Sequence, residues 1–259
     1  MTEIDVWDEL AEWWDGVMGD GDAFHSTLLF EPQLRFLELE SHEHVLDLAC
    51  GQGAFARQMS QRGARVLGVD GSPRMIELAR RRCESLRTPP SFRTLDLTIP
   101  GSVATLEEAP FDAAVCSMAL QDIAQIDTLL RELPEVLVPG GTFVFSVPHP
   151  VFNSLCSAPG MEYEMRDGHL QELRYVRVFD YLRPASGPLM AKEGSDLLPI
   201  YHHRPLEVLF GACFRAGLRL VDLVEPAYPR GMESSRALSW KAFPLIPPAL
   251  VTKWVVGEG

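Results

Sequence analysis

Apolar residues recur at helical spacing from the start of the chain. Val6, Trp7, Leu10, Trp13, Trp14 and Val17 form one stripe, which predicts an amphipathic helix over residues 5–18. Gly19-Asp20-Gly21-Asp22 is a turn-rich break, and a second helix is expected over about residues 32–39 with Pro32 at its start. At Val45 the texture changes. Val45 to Ala49 reads as a buried strand, Gly51-Gln52-Gly53 as a turn, and Ala54 to Arg62 as a helix stopped by Gly63. Arg65 to Val69 is the next strand; Ser72 then caps a helix with Pro73 at its first position. Ser91 to Leu95 and Ala113 to Ser117 read as strands three and four. Asp127 to Val138 is helical with an interruption at Pro134, Pro139-Gly140-Gly141 is a turn, and Thr142 to Val147 is strand five.

After Pro148-His149-Pro150 the alternation breaks for about fifty residues. Within this stretch Leu170 to Leu182 shows rough period-two alternation behind Asp167-Gly168, which predicts a hairpin. Pro205 to Ala216 then reads as a helix capped by Gly217, Leu218 to Val224 as a strand, and Ala249 to Val256 as a final strand. Strands alternating with helices point to an α/β fold, a parallel sheet covered on both faces. The expected organisation is a single domain over residues 1–259: an N-terminal helical cap (1–40), a core (41–149), an insertion or lid (150–200), and a segment completing the sheet (201–259).

Composition narrows the functional classes. Of 259 residues, 46% are hydrophobic and 23% charged, the balance of an ordinary globular chain. The longest apolar runs, such as Ala113-Ala114-Val115-Cys116, are far short of a membrane span. Met1-Thr2-Glu3-Ile4-Asp5 is acidic, unlike a secretory signal, so a cytoplasmic location is expected. Five scattered cysteines without CxxC spacing fit reduced thiols rather than a metal site or disulfides. A net charge of −13 repels phosphate backbones and anionic lipid. No nucleic-acid or membrane partner is therefore expected, and a small, neutral-to-cationic ligand is. The one cationic run, Arg80-Arg81-Arg82, reads as a solvated helix face.

The informative chemistry begins at Val45-Leu46-Asp47-Leu48-Ala49-Cys50-Gly51-Gln52-Gly53-Ala54-Phe55-Ala56. A strand enters a glycine turn and leaves as a helix, an arrangement in which backbone approaches a ligand closely and free N–H groups face it. Alone, Gly51-x-Gly53-x-x-Ala56 also fits a dinucleotide fingerprint. Three carboxylates sharpen it. Asp47 lies near its strand end, awkward beside a pyrophosphate but favourable beside an ammonium and a sulfonium. Asp70 ends the next strand, where a carboxylate accepts from both hydroxyls of a ribose. Asp96 follows strand three, placed to accept from an adenine amino group. Cys50 reads as a packing residue.

The run from Val45 to Val147 resembles the class I S-adenosylmethionine-dependent methyltransferase core, in the broad group called type 11 or UbiE-like. The resemblance is carried by Asp47-x-x-Cys50-Gly51-x-Gly53, Asp70-Gly71-Ser72-Pro73-x-Met75, Asp96-Leu97, Phe111-Asp112-Ala113-Ala114-Val115-Cys116-Ser117-Met118-Ala119-Leu120 and Leu137-x-Pro139-Gly140-Gly141, in that order. It implies a Rossmann-like seven-stranded sheet, mostly parallel with the last strand antiparallel, and S-adenosyl-L-methionine as cofactor. It also implies that Asp47 with Gly51 and Gly53 holds the methionine part, Asp70 with Gly71 the ribose, and Asp96-Leu97 the adenine. Met75 would pack near the adenosine, and Ser117-Met118 would lie beside the cofactor.

The implied reaction is in-line transfer of a methyl group to an O or N, and less readily an S or C, of a small molecule. A base helps where the acceptor carries a proton. His149, His203, His25 and Asp122 are the candidates, since their segments border the expected open face. His42 and His44 read as structural, and no histidine–carboxylate cluster supports a metal. Trp13, Trp14, Phe24, Phe152, Tyr163, Tyr175 and Tyr181 are expected to flank the mouth and suit an apolar acceptor. The alternatives are a methyltransferase acting on protein or RNA, and a regulator that binds the cofactor without catalysis. A nicotinamide enzyme is disfavoured by Asp47. An aminopropyltransferase is disfavoured by Gly51-Gln52-Gly53-Ala54, and a nucleic-acid methyltransferase by Ser117-Met118-Ala119-Leu120.

Overall fold

Strand β1 (His44–Leu48) explains why its sequence is almost continuously apolar. Its side chains alternate between two separate cores: Leu46 and Leu48 point into one, Val45 into the other. The same division holds for β4 (Phe111–Ser117), with Ala114 and Cys116 on the first side and Ala113 and Val115 on the second. The computed structural model describes residues 2–40, 43–188, 196–232, 234 and 236–257, so His42 lies outside the described residues.

The remaining strands of the main sheet are β2 (Arg65–Asp70), β3 (Ser91–Thr94), β5 (Leu137–Pro148), β10 (Leu218–Val224) and β11 (Ala249–Val256). They hydrogen-bond in the order β10-β11-β5-β4-β1-β2-β3. β1 to β5 pair in parallel, and β11 runs antiparallel between β5 and β10. Helices α2 (Phe30–Leu37), α3 (Ala54–Gln61) and α4 (Pro73–Cys83) cover one face, and α5 (Ile126–Val136) and α6 (Leu206–Arg215) the other. Strand order reverses at β1, where β2 lies on one side and β4 on the other. Ligands in such sheets bind beyond the carboxyl ends of the strands at that point.

Several local expectations need correction. The second helix starts earlier than Pro32, because a π-helical turn (His25–Leu29) leads into it; Pro32 is the third residue of α2. α5 runs through Pro134 without interruption, since its buried stripe of Ile126, Leu129, Leu130, Leu133 and Val136 holds the final turn against the sheet. Pro139-Gly140-Gly141 lies within β5 as a bulged excursion: Leu137 pairs with Phe111 and Thr142 with Ala113. In the 150–200 stretch, β6 (Ser157–Arg166) and β7 (His169–Val178) form a hairpin turned at Asp167-Gly168. Both turn residues have positive φ, 50° and 77°, as a type I′ turn requires. β8 (Ala185–Pro188) pairs with β9 (Ile200–His203) in a second small ribbon.

Helix α1 (Glu3–Met18) is the N-terminal helix that the apolar stripe predicted, starting two residues earlier. Its acidic side docks on the basic side of α4. Arg74 meets Asp8 at 3.3 Å, Arg81 meets Glu12 at 3.3 Å, and the Arg82 guanidinium takes Asp15, with Nη2 donating to Oδ2 at 2.9 Å. Arg80 donates to the Phe92 carbonyl. Arg80 and Arg81 are exposed, as a solvated face would be, while the half-buried Arg82 clamps α4 to α1. Arg82→Ala is expected to cost about 1 kcal/mol, because the pair is half-shielded and two-pronged. Hydrogen exchange should then quicken along α1 and leave β1 and β4 unchanged.

Candidate functional site

The carboxyl tips of β1, β2, β3 and β4 open into a cavity of about 1080 Å³ including its mouth. α1 roofs it with Glu3, Ile4, Trp7, Trp14 and Met18. The roof is pinned at several points. Ser72 Oγ and the Arg74 amide donate to Asp8, and Gln52 Nε2 donates to the Gly19 carbonyl. Glu3 Oε1 lies 3.0 Å from His202 Nε2, whose Nδ1 lies 2.7 Å from Ser186 Oγ.

The floor is strained backbone. Ala49 follows β1 and Met118 follows β4, each with φ of 53°, a conformation that side chains rarely adopt; both line the cavity. Met118 is held there by its N–H donating to the Ser146 carbonyl and hydroxyl. Between them Gly51 takes φ of 54°. Its N–H donates to Asp70 Oδ2 at 2.9 Å, while the Ser72 N–H donates to Asp70 Oδ1 at 2.9 Å. Asp70 thus ties the glycine turn to the start of α4.

The lining is markedly acidic. Glu3, Asp47, Asp70, Asp96 and Asp122 border the cavity, and among the described residues no lysine or arginine does. Burial pushes the Asp47 carboxyl up to about 8, with Asp70 adding to the effect and the Ala56 amide opposing it. Burial likewise raises Asp70 against the bonds from Ser72 and Gly51. It raises Asp122 well above the carboxylate range, against the Gln121 amide, with Glu3 adding to it. Asp47 is 1% exposed and its Oδ2 has no partner; nor has Ser117 Oγ beside it on the lining. Buried polar atoms left open in this way await a ligand.

Residues 45–141 match the family model described as a methyltransferase domain. Over 110 residues the chain is 32% identical to the demethylmenaquinone methyltransferase of Tropheryma whipplei, covering 42% of this chain and 44% of that enzyme. Over 229 residues it is 24% identical to a ubiquinone biosynthesis O-methyltransferase of Coxiella burnetii, covering 82% and 94%. The crystal structure of an S-adenosylmethionine-dependent methyltransferase from Mesorhizobium loti superposes with a TM-score of 0.65 at 27% identity, covering 86% of this chain and 96% of that one. The chain is thus similar to S-adenosylmethionine-dependent methyltransferases, in sequence over residues 45–141 and in fold over most of its length.

S-adenosylmethionine is the cofactor that these similarities imply, and the cavity suits it. An ammonium and a sulfonium match an acidic lining, and Asp47 and Ser117 offer open acceptors. Asp47, Gly51, Asp70, Gly71, Met75, Asp96, Leu97, Ser117 and Met118 all line the cavity. Gly53 does not; it caps α3 at φ of 80°, and a Cβ there would press on Phe92 and Ala79. Asp96 keeps one oxygen on the Thr98 amide and hydroxyl. The Cys50 thiol, raised well above its usual value by burial and by Asp47 and Asp70, is protonated packing.

Of the four candidates for acid–base work, the structure brings His25 and Asp122 to the cavity and places His149 and His203 outside its lining. Both ring nitrogens of His149 are committed: Nδ1 accepts from the Val151 and Phe152 amides, and Nε2 lies 2.8 Å from Glu225. Burial holds His149 below the usual imidazole range in spite of Glu225. His203 is 1% exposed and donates through Nε2 to the Tyr181 carbonyl. His149→Ala is therefore expected to lower the melting temperature by several degrees, by orphaning two amides and Glu225. Affinity for S-adenosylhomocysteine should change less than threefold. His44 packs its ring on Phe111 at 4.4 Å, well away from the site.

Of the aromatics expected at the mouth, only Trp14 lines the cavity; Trp7, Phe30 and Phe55 do so instead. Tyr163 is exposed on the hairpin, Tyr175 packs over Gly160, and Tyr181 holds the Leu206 amide. Glu3 was missed by sequence reasoning, since nothing local in the first turn of a helix indicates what that turn covers.

Proposed function

We propose that the chain transfers the methyl group of S-adenosylmethionine to an oxygen or nitrogen of a small, neutral or cationic acceptor bound under α1. The reading is carried by the five carboxylates and absent basic side chains of the described lining, roofed by tryptophans. An anionic acceptor would add its charge to an already acidic enclosure. A ring bearing a hydroxyl or an amine suits the apolar roof, and the names of the relatives from menaquinone and ubiquinone biosynthesis support a small apolar acceptor.

When bound, S-adenosylmethionine supplies an electrophilic methyl on a sulfonium. Asp47 would support the ammonium, Asp70 the ribose hydroxyls, and Asp96 with Leu97 the adenine. An acceptor held beside that methyl under α1 would react in an effectively unimolecular step. The helix α1 excludes water. His25 takes the proton that the acceptor loses, and Asp122, kept largely protonated by burial, donates a hydrogen bond or pairs with an incoming amine.

Incubation with methyl-labelled S-adenosylmethionine and a metabolite extract tests this. Label is expected in the low-molecular-weight fraction. Label confined to protein or RNA, or no transfer at all, would contradict it.

A further inference from the structure

We propose that Asp22 is a positioning residue that fixes the tautomer of His25, leaving the Nε2 lone pair for the acceptor's proton. This rests on the methyltransferase reading above. Asp22 immediately precedes the first helical residue of the segment leading into the π-turn, so it stands at the N-cap. Its Oδ1 receives two groups of the same residue, the His25 amide at 2.9 Å and the His25 Nδ1 at 2.7 Å. The ring is therefore tied to its own helix start. It is 7% exposed, wedged between Phe24 and Phe30 with centroids at 5.9 and 6.2 Å, and it lines the cavity.

The protonation states follow. Burial pushes the Asp22 carboxyl up, but the bonds from the His25 ring and amide and from the Phe24 amide hold it below its ordinary value. Asp22 is thus an ionised, acceptor-only group at neutral pH, and the nitrogen facing it must carry the proton. Nε2 is then the free acceptor. The other titratable groups around the pair are the Tyr228 hydroxyl, which Asp22 helps to raise, and the cavity carboxyls Glu3, Asp47, Asp70 and Asp122. None of these has a hydrogen bond to the His25 ring among the described residues.

In the step this serves, the acceptor's X–H proton passes to Nε2 as the X–C bond forms and the C–S bond breaks. The bonding pair stays on sulfur, and the imidazolium is stabilised by Asp22 until it releases the proton to water. A lone histidine would divide itself between tautomers, and free imidazole side chains favour the wrong one for this task.

The test uses the full chain with 15N-labelled histidine, the parent beside Asp22→Asn and Asp22→Ser. Serine preserves an N-cap acceptor for the His25 amide without the charge. In long-range 1H–15N spectra at pH 7.5 the parent His25 is expected to be protonated at Nδ1 by at least ten to one, and both variants to lose that preference. S-adenosylhomocysteine affinity should stay within threefold by calorimetry, and label transfer to the metabolite extract should fall at least tenfold with an unchanged KM for the donor. An unchanged tautomer in both variants, or undiminished transfer, overturns the proposal. A parent chain that binds no S-adenosylhomocysteine sinks the methyltransferase reading instead, while the tautomer measurement stands separately.

Discussion

Asp47→Asn is expected to bind S-adenosylhomocysteine roughly a hundredfold more weakly, about 2.7 kcal/mol, and yet to melt higher than the parent without ligand at pH 8.5. The two effects have one cause. Asp47 is buried beside Asp70, and its carboxyl is pushed up to about 8. Between the ordinary value of 3.8 and about 8 the folded chain holds a proton that the unfolded chain has lost. Stability present below the lower value is therefore lost as pH rises through the upper one. Asparagine fills the same space with no proton to lose. The gap in melting temperature should widen from pH 5 to pH 8.5, reaching roughly 5 °C or more. The lost affinity reflects a charge-assisted contact to the cofactor ammonium, worth about 1.5–3 kcal/mol. Differential scanning calorimetry and titration on the same samples read both. An Asn variant that binds normally would remove Asp47 from the cofactor's partners.

Asp70→Ala is expected to weaken cofactor binding by one to two orders of magnitude for a compound reason. The contact to the ribose hydroxyls is lost, a charge-assisted pair worth about 1.5–3 kcal/mol. The substitution also takes the shared acceptor from the Gly51 and Ser72 amides, so the glycine turn and the start of α4 lose their tie. Asp70→Asn retains an acceptor oxygen for one amide and should lie between the two. Calorimetry with S-adenosylhomocysteine on both variants checks the ranking. Equal, undiminished affinity in the pair would refute the ribose assignment.

The sheet and the floor of the site were legible because period and chain direction decide them. A parallel strand ending in Asp47, a glycine turn, and a second strand ending in Asp70 must bring those residues to one edge whatever surrounds them. Ser72 and Pro73 marked the start of α4 for local reasons, and the structure has Ser72 Oγ accepting from the Met75 amide as a cap. The roof was expected as an N-terminal helical cap, but its fastening was not legible, because α1 is placed by pairs such as Asp15 with Arg82 that lie far apart in sequence. Arg82 was read as solvated for the same reason. His149 was singled out because it directly follows strand five and His203 because it precedes the helix before strand six, but the turn after β5 carries the His149 ring toward Glu225. The Asp22-x-x-His25 spacing did carry a local signal. A cap carboxylate three residues before a histidine can hold both its amide and its ring, as Asp22 does.

The most direct measurement is a crystal structure of the chain with S-adenosylhomocysteine. The adenosyl group is expected across the tips of β1, β2 and β3, with both ribose hydroxyls on Asp70, the amino group within reach of Asp47, and the sulfur facing His25 and Asp122 beneath α1. A ligand seated elsewhere, or one lying with its ribose away from Asp70, would contradict the account.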